Sequence, residues 1–96
     1  MSQTAAQQNA LQVSSATTEL VTKILAKFPQ AQIRPRTVPL TDEDISLEIA
    51  LPMSMEEIYQ AREWIYDIVI DLQNRYNLII MASAVPQEQS VLAAPE

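Results

Sequence analysis

Residues 44–86 read DISLEIALPMSMEEIYQAREWIYDIVIDLQNRYNLIIMASAVP. At the start, Ile45, Leu47, Ile49 and Leu51 alternate with Asp44, Ser46, Glu48 and Ala50. A period of two is the mark of a half-buried strand. Pro52 stops it, and Ser54-Met55-Glu56-Glu57 follows as a capping box. There the serine hydroxyl accepts from the glutamate amide, and the glutamate reaches back. Met53 and Ile58 stand where a hydrophobic staple would close. The period then changes to that of a helix over about 54–76. Ile58, Ala61, Ile65, Ile68, Val69, Leu72 and Tyr76 form the stripe. Tyr59, Trp64, Tyr66 and Ile70 widen the apolar arc beyond the ~100° a surface helix needs. After a turn at Asn74–Asn77, residues 78–85 read as a strand apolar on both faces. Leu78, Ile80, Ala82 and Ala84 share one face, and Ile79, Met81 and Val85 the other. Strand, helix and strand make a β-α-β unit, for which a right-handed crossover is expected.

Before this unit, Val13, Ala16, Leu20, Ile24 and Phe28 recur at spacings of three and four. The pattern runs from about Asn9 to Phe28 and predicts a helix over about 12–28, ended by Pro29. Between the two units, Ile33 and Val38 suggest a strand that Pro35 and Pro39 interrupt. Proline suits a strand only at an edge or over a short length. An edge strand over 31–38, antiparallel to 45–51 with Arg34 near Glu48, is the expectation. The expected architecture is α/β (α+β), a two-layer sandwich of order α-β-β-α-β. Its small mixed sheet carries both helices on one face. Residues 1–9 read as a disordered lead, 10–86 as one domain and 87–96 as a flexible tail.

Composition narrows the chemistry. The 96 residues include no His, no Cys and no Gly. Without Cys there are no disulfides, thiolate metal sites or thiol nucleophiles. Without His no Ser-His-Asp arrangement can form. Without Gly neither a Walker loop nor a dinucleotide fingerprint can form, because both need the backbone to approach phosphate closely. The net charge of -6 opposes nucleic-acid backbones and anionic membranes. No apolar run reaches the roughly 20 residues of a membrane span. The opening MSQTAAQQNA lacks the pattern of a signal peptide. A cytoplasmic protein is the expectation.

Two polar groups offer candidate chemistry. Asp42, Glu43 and Asp44, with Glu48 beyond, are carboxylates of the kind that hold a divalent cation. A solvated turn leading into a strand is the simpler reading. Arg34 and Arg36 share a parity and could clamp an anion, or pair with Glu48 or Asp44. On the helix over 54–76, Glu63, Asp67 and Asp71 are like charges at i,i+4 spacing, mildly destabilising unless partnered.

The segment from Arg34 onward resembles the minimal nucleotidyltransferase domains of the polymerase-β superfamily. Gln32-Ile33-Arg34-Pro35-Arg36-Thr37 lies where the family has G-S-R-A-R-G. Asp42-Glu43-Asp44-Ile45-Ser46-Leu47 lies where it has D-S-D-I-D-L. The similarity covers most of residues 17–89, and it implies that the strand stops near Ile33 and that 34–42 is a loop or short helix, in place of an edge strand. The departures fall on the chemistry: Gln32-Ile33 replaces the phosphate-gripping Gly-Ser, and Ser46 replaces the second metal-binding Asp. The resemblance therefore implies a degenerate relative without catalysis. It also implies a protein partner, since such domains associate with helical proteins. The resulting expectation is a non-catalytic interaction module needing no cofactor, working as a homodimer or with a protein partner. Its interface would use Tyr59, Trp64, Tyr66, Ile70, Ile79 and Met81. The alternative is a nucleotide-binding or nucleotidyl-transferring protein, with Arg34 and Arg36 on phosphates and Asp42 and Asp44 on Mg²⁺.

Overall fold

A computed structural model describes residues 5–36 and 42–87. The elements are α1 (Ala5–Lys27), β1 (Gln32–Pro35), β2 (Ile45–Leu51), α2 (Met55–Tyr76) and β3 (Ile80–Pro86). The order is α-β-β-α-β. The three strands form one mixed sheet in the order β1-β2-β3. β1 runs antiparallel to β2, and β3 parallel to it.

The alternation in β2 sets the two layers. Ile45, Leu47, Ile49 and Leu51 are all buried toward the helices. They meet Ala16, Leu20 and Ile24 of α1, and Ile58, Ala61, Ile65, Val69 and Leu72 of α2. Leu78, Ile80 and Ala84 close the core from the β3 side. α2 begins at the expected capping box. The Ser54 hydroxyl accepts from the Glu57 amide at 3.4 Å, and Glu57 Oε1 accepts from the Ser54 amide at 3.1 Å. α2 ends at Asn77, whose φ of 55° is the only positive value among the described residues. Asn tolerates that left-handed conformation better than most residues carrying a Cβ.

The segment after α1 resolves in favour of an edge strand. β1 pairs Ile33 with Ile49 and Arg34 with Glu48. It is shorter than the span of 31–38, because Pro35 ends it. The Arg36 amide adds one further bond, to the Ser46 carbonyl at 2.8 Å. Pro39 and residues 37–41 lie outside the described residues, as do Val91 and Leu92 of the expected tail.

The bounds of α1 and β3 also differ from the sequence reading. α1 begins at Ala5, so residues 5–9, expected as a disordered lead, are helical. Ala and Gln are good helix formers, but an apolar stripe is what marks a helix in sequence, and this turn has none. β3 starts at Ile80 and takes in Pro86, two residues later than expected at its start. Leu78 is buried although it precedes the strand.

α1 packs chiefly on α2. Between them, Phe28 meets Trp64 edge to face, with ring centroids 5.6 Å apart. Lys27 Nζ lies 5.2 Å from the Trp64 ring centroid. Trp64, expected at an interface with another molecule, is thus half-buried within the chain itself.

Candidate docking groove

β3 is an edge strand, and its outer side opens onto α2. A groove of about 600 Å³ runs there, lined by Tyr66, Val69, Ile80, Met81 and Ala82, with Arg62 and Glu63 on its rim. Two side chains of α2 reach down to the strand. Arg62 Nε donates to the Ala84 carbonyl at 3.0 Å, and Gln73 Oε1 accepts from the Ile80 amide at 2.8 Å. Each satisfies a backbone group that no neighbouring strand reaches.

Several apolar side chains of α2 and the β3 region are exposed. Tyr66 is 63% exposed and Met81 46%. Tyr59 and Ile70 are also exposed on α2, and the Arg62 guanidinium lies 5.6 Å from the Tyr59 ring centroid. Ile79 is exposed beside the start of β3, and Val85 is half-buried. Of the residues expected at an interface, the fold brings Tyr66 and Met81 into the groove itself. Tyr59, Ile70 and Ile79 are exposed outside it. The sequence reading did not single out Arg62 and Gln73 as edge caps. Their strand contacts are 22 and 7 residues away in sequence, and only the tertiary fold brings them about.

Of the candidate metal and phosphate residues, Asp44 makes a structural contact. The Asp44 carboxylate accepts from the Ile79 amide at 2.8 Å, while the Asp44 amide donates back to the Ile79 carbonyl at 2.8 Å. This reciprocal pair ties the start of β2 to the start of β3. Asp42 is exposed ahead of β2, and Glu43 is half-buried. Ser46, where the nucleotidyltransferase pattern has its second Asp, holds a buried hydroxyl with no hydrogen-bond partner among the described residues. A carboxylate there would be desolvated, which disfavours its charged form. Among the described residues no three acidic side chains are arranged to hold a metal ion. Arg34 and Arg36 are both exposed, and Arg34 stands opposite Glu48 in the ladder. No described helix is long and apolar enough to cross a membrane.

The strongest electrostatic feature lies elsewhere, between the helices. Glu19 of α1 bonds Arg75 of α2, accepts from the Tyr76 hydroxyl at 3.2 Å and pairs with Lys23 at 3.2 Å. Asp71 holds Arg75 from its own helix at 2.9 Å. The hydrogen bond from Arg75 lowers the Glu19 pKa from 4.5 to about 2, opposed by partial desolvation. Glu19 and Asp71 together raise the Arg75 pKa further above its ordinary value. The Glu19 carboxylate is favoured in the folded state, so its stabilising contribution is complete above pH 4.5 and is lost as pH falls through about 2. The expected result is that Glu19→Gln melts below the native chain at neutral pH, and that the gap closes between pH 4.5 and 2. A gap that stays constant over that range would remove Glu19 from the pH response.

No family model, no curated protein and no solved structure matches the chain. The likeness to nucleotidyltransferases thus rests on the sequence alone.

Proposed function

We propose that this chain is a small non-catalytic interaction module that docks a protein along the groove between α2 and the outer edge of β3. One observation carries the reading. β3 carries no charge and is apolar on both faces except at Ser83, close to the pattern of a strand buried in the middle of a parallel sheet. Yet it stands at an edge, with Met81 exposed and Tyr66 across the groove from it. Isolated apolar residues are ordinary on a surface, but several contiguous ones rimmed by polar groups mark a contact site. Full burial of a side chain such as Met contributes roughly 1.5–3 kcal/mol.

Nothing in the arrangement of Arg34, Arg36, Asp42 and Asp44 favours nucleotide chemistry over this reading, because the Asp44 carboxylate is already bonded to a backbone amide. A cysteine-free chain suits a reducing cytoplasm.

The test is chemical cross-linking of the native chain in the extract of cells that express it, beside the Tyr66→Ser, Met81→Ser double variant, both positions lying in the groove. Both positions are exposed, so the variant keeps its core. An adduct heavier than the 10.8 kDa chain that disappears in the variant supports docking at this surface. No adduct, or one indifferent to the substitutions, overturns it.

A further inference from the structure

The outer edge of β3 is complementary to itself. Along a strand each residue points its N–H and C=O to one side, and the side alternates. The Ile79 carbonyl accepts from the amides of Asp44 and Ile45, so odd-numbered residues face β2. Residues 80, 82 and 84 face outward, in keeping with the Gln73 bond to the Ile80 amide and the Arg62 bond to the Ala84 carbonyl. Between these caps, the Ile80 carbonyl, both backbone groups of Ala82 and the Ala84 amide have no partner among the described residues. Edge strands are normally guarded by charge, a bulge, a central proline or a covering element, and here Arg62 and Gln73 of α2 are the only guards among the described residues. β3 reads IMASAVP, without charge, and its proline comes last.

We infer that β3 pairs antiparallel with β3 of a second copy, about a two-fold axis at Ala82, joining two three-stranded sheets into one of six strands. The inference rests on the groove being a docking surface, and it names the occupant. In this register Ala82 faces Ala82 of the second copy, and Ile80 faces Ala84. The Ile80 amide and the Ala84 carbonyl then bond each other across the axis. These are the two groups that Gln73 and Arg62 hold in the single chain, where Ile80 is 6% exposed and Ala84 1%, so both caps swing aside when the second strand takes their place. The rim carries Arg62 and Glu63, one charge of each sign, and so selects neither a basic nor an acidic strand. β3, which is neutral, matches it.

Magnitude sets the kind of association. Seven residues at about 3.3 Å each give an edge of about 23 Å, and layers about 10 Å apart make it roughly 20 Å deep. The contact is on the order of 500 Å² per copy, short of the ~800 Å² of a standard stable interface. The dimer is therefore transient. Each copy carries a charge of -6, so added salt screens the repulsion and strengthens pairing. A basic partner would respond in the opposite sense.

The chain has no cysteine, which makes the register testable with disulfides. Met81 would face Ser83 of the second copy in a non-hydrogen-bonded pair, with Cα atoms about 4.5 Å apart and within disulfide reach. Two residues 81, or two residues 83, would lie on a diagonal of about 7–8 Å, beyond it. Met81→Cys and Ser83→Cys are prepared separately, checked for an unchanged melting temperature, and incubated alone and mixed with oxidised glutathione. The mixture is expected to give several-fold more cross-linked dimer than either variant alone. Equal yields in all three, or none in the mixture, overturn the pairing. If the mixture fails while the groove-dependent adduct in cells persists at a mass other than twice the chain, the second copy is excluded and the docking surface stands. If both fail, the docking surface falls as well.

Discussion

Replacing Leu20 with alanine is expected to lower the melting temperature by on the order of 10–40 °C. Leu20 is fully buried, and with Ala16 and Ile24 it forms the fully buried seam of α1. Removing a buried leucine costs about 2–5 kcal/mol, through lost transfer energy and the cavity left behind. In a domain of this length each kcal/mol shifts melting by about 4–8 °C. Because α1 leans chiefly on α2, the loss should also raise amide exchange in α1 before the sheet opens. Leu25→Ala is the control, since Leu25 is 39% exposed and its truncation should cost about 0.5 kcal/mol or less. Equal losses from the two substitutions, read by thermal denaturation, would show that α1 is not docked through this seam.

The second large effect is expected from Asp44→Ala, a loss of about 1–2 kcal/mol, because the Ile79 amide loses a charge-assisted bond at an exposed site. The same substitution separates two roles for this carboxylate. If it ties β2 to β3, thermal stability falls, and Mg²⁺ with ATP or GTP leaves the native melting temperature where it was. If it holds a metal for nucleotide, those ligands raise the native melting temperature and the rise vanishes in the variant.

Much of this fold can be read from the chain because its signals are local. The alternation of Ile45 to Leu51 gave β2 and its buried face. Ser54 and Glu57, three residues apart, gave the start of α2. The pairing of Arg34 with Glu48 followed from reading 31–38 as an edge strand. What stayed hidden joins distant residues. Glu19 meets Arg75 across 56 positions, and Asp44 meets Ile79 across 35. Spacing carries no information about such pairs, since either end satisfies the local rules without the other. The acidic run at 42–44 suggested a metal for that reason: composition shows carboxylates, and only the fold shows that one of them holds a backbone amide. Trp64 illustrates the converse. Its position on α2 marked it as part of a wide apolar arc, but nothing local said that Phe28 would cover it.

Among the described residues only Asn77, in the turn after α2, takes a left-handed conformation, and the chain contains no glycine. An average chain of this length would hold about seven glycines. Every backbone unit here carries a Cβ, which narrows the conformations open to the denatured chain. A substitution that removes glycine at a tolerant site contributes about 0.4–1 kcal/mol through that narrowing alone. Over the whole chain the effect reaches a few kcal/mol, a sizeable share of the ~5–15 kcal/mol that holds a domain folded. Part of what keeps this small core assembled therefore lies in the stiffness of the unfolded ensemble, where no contact map of the native state would find it.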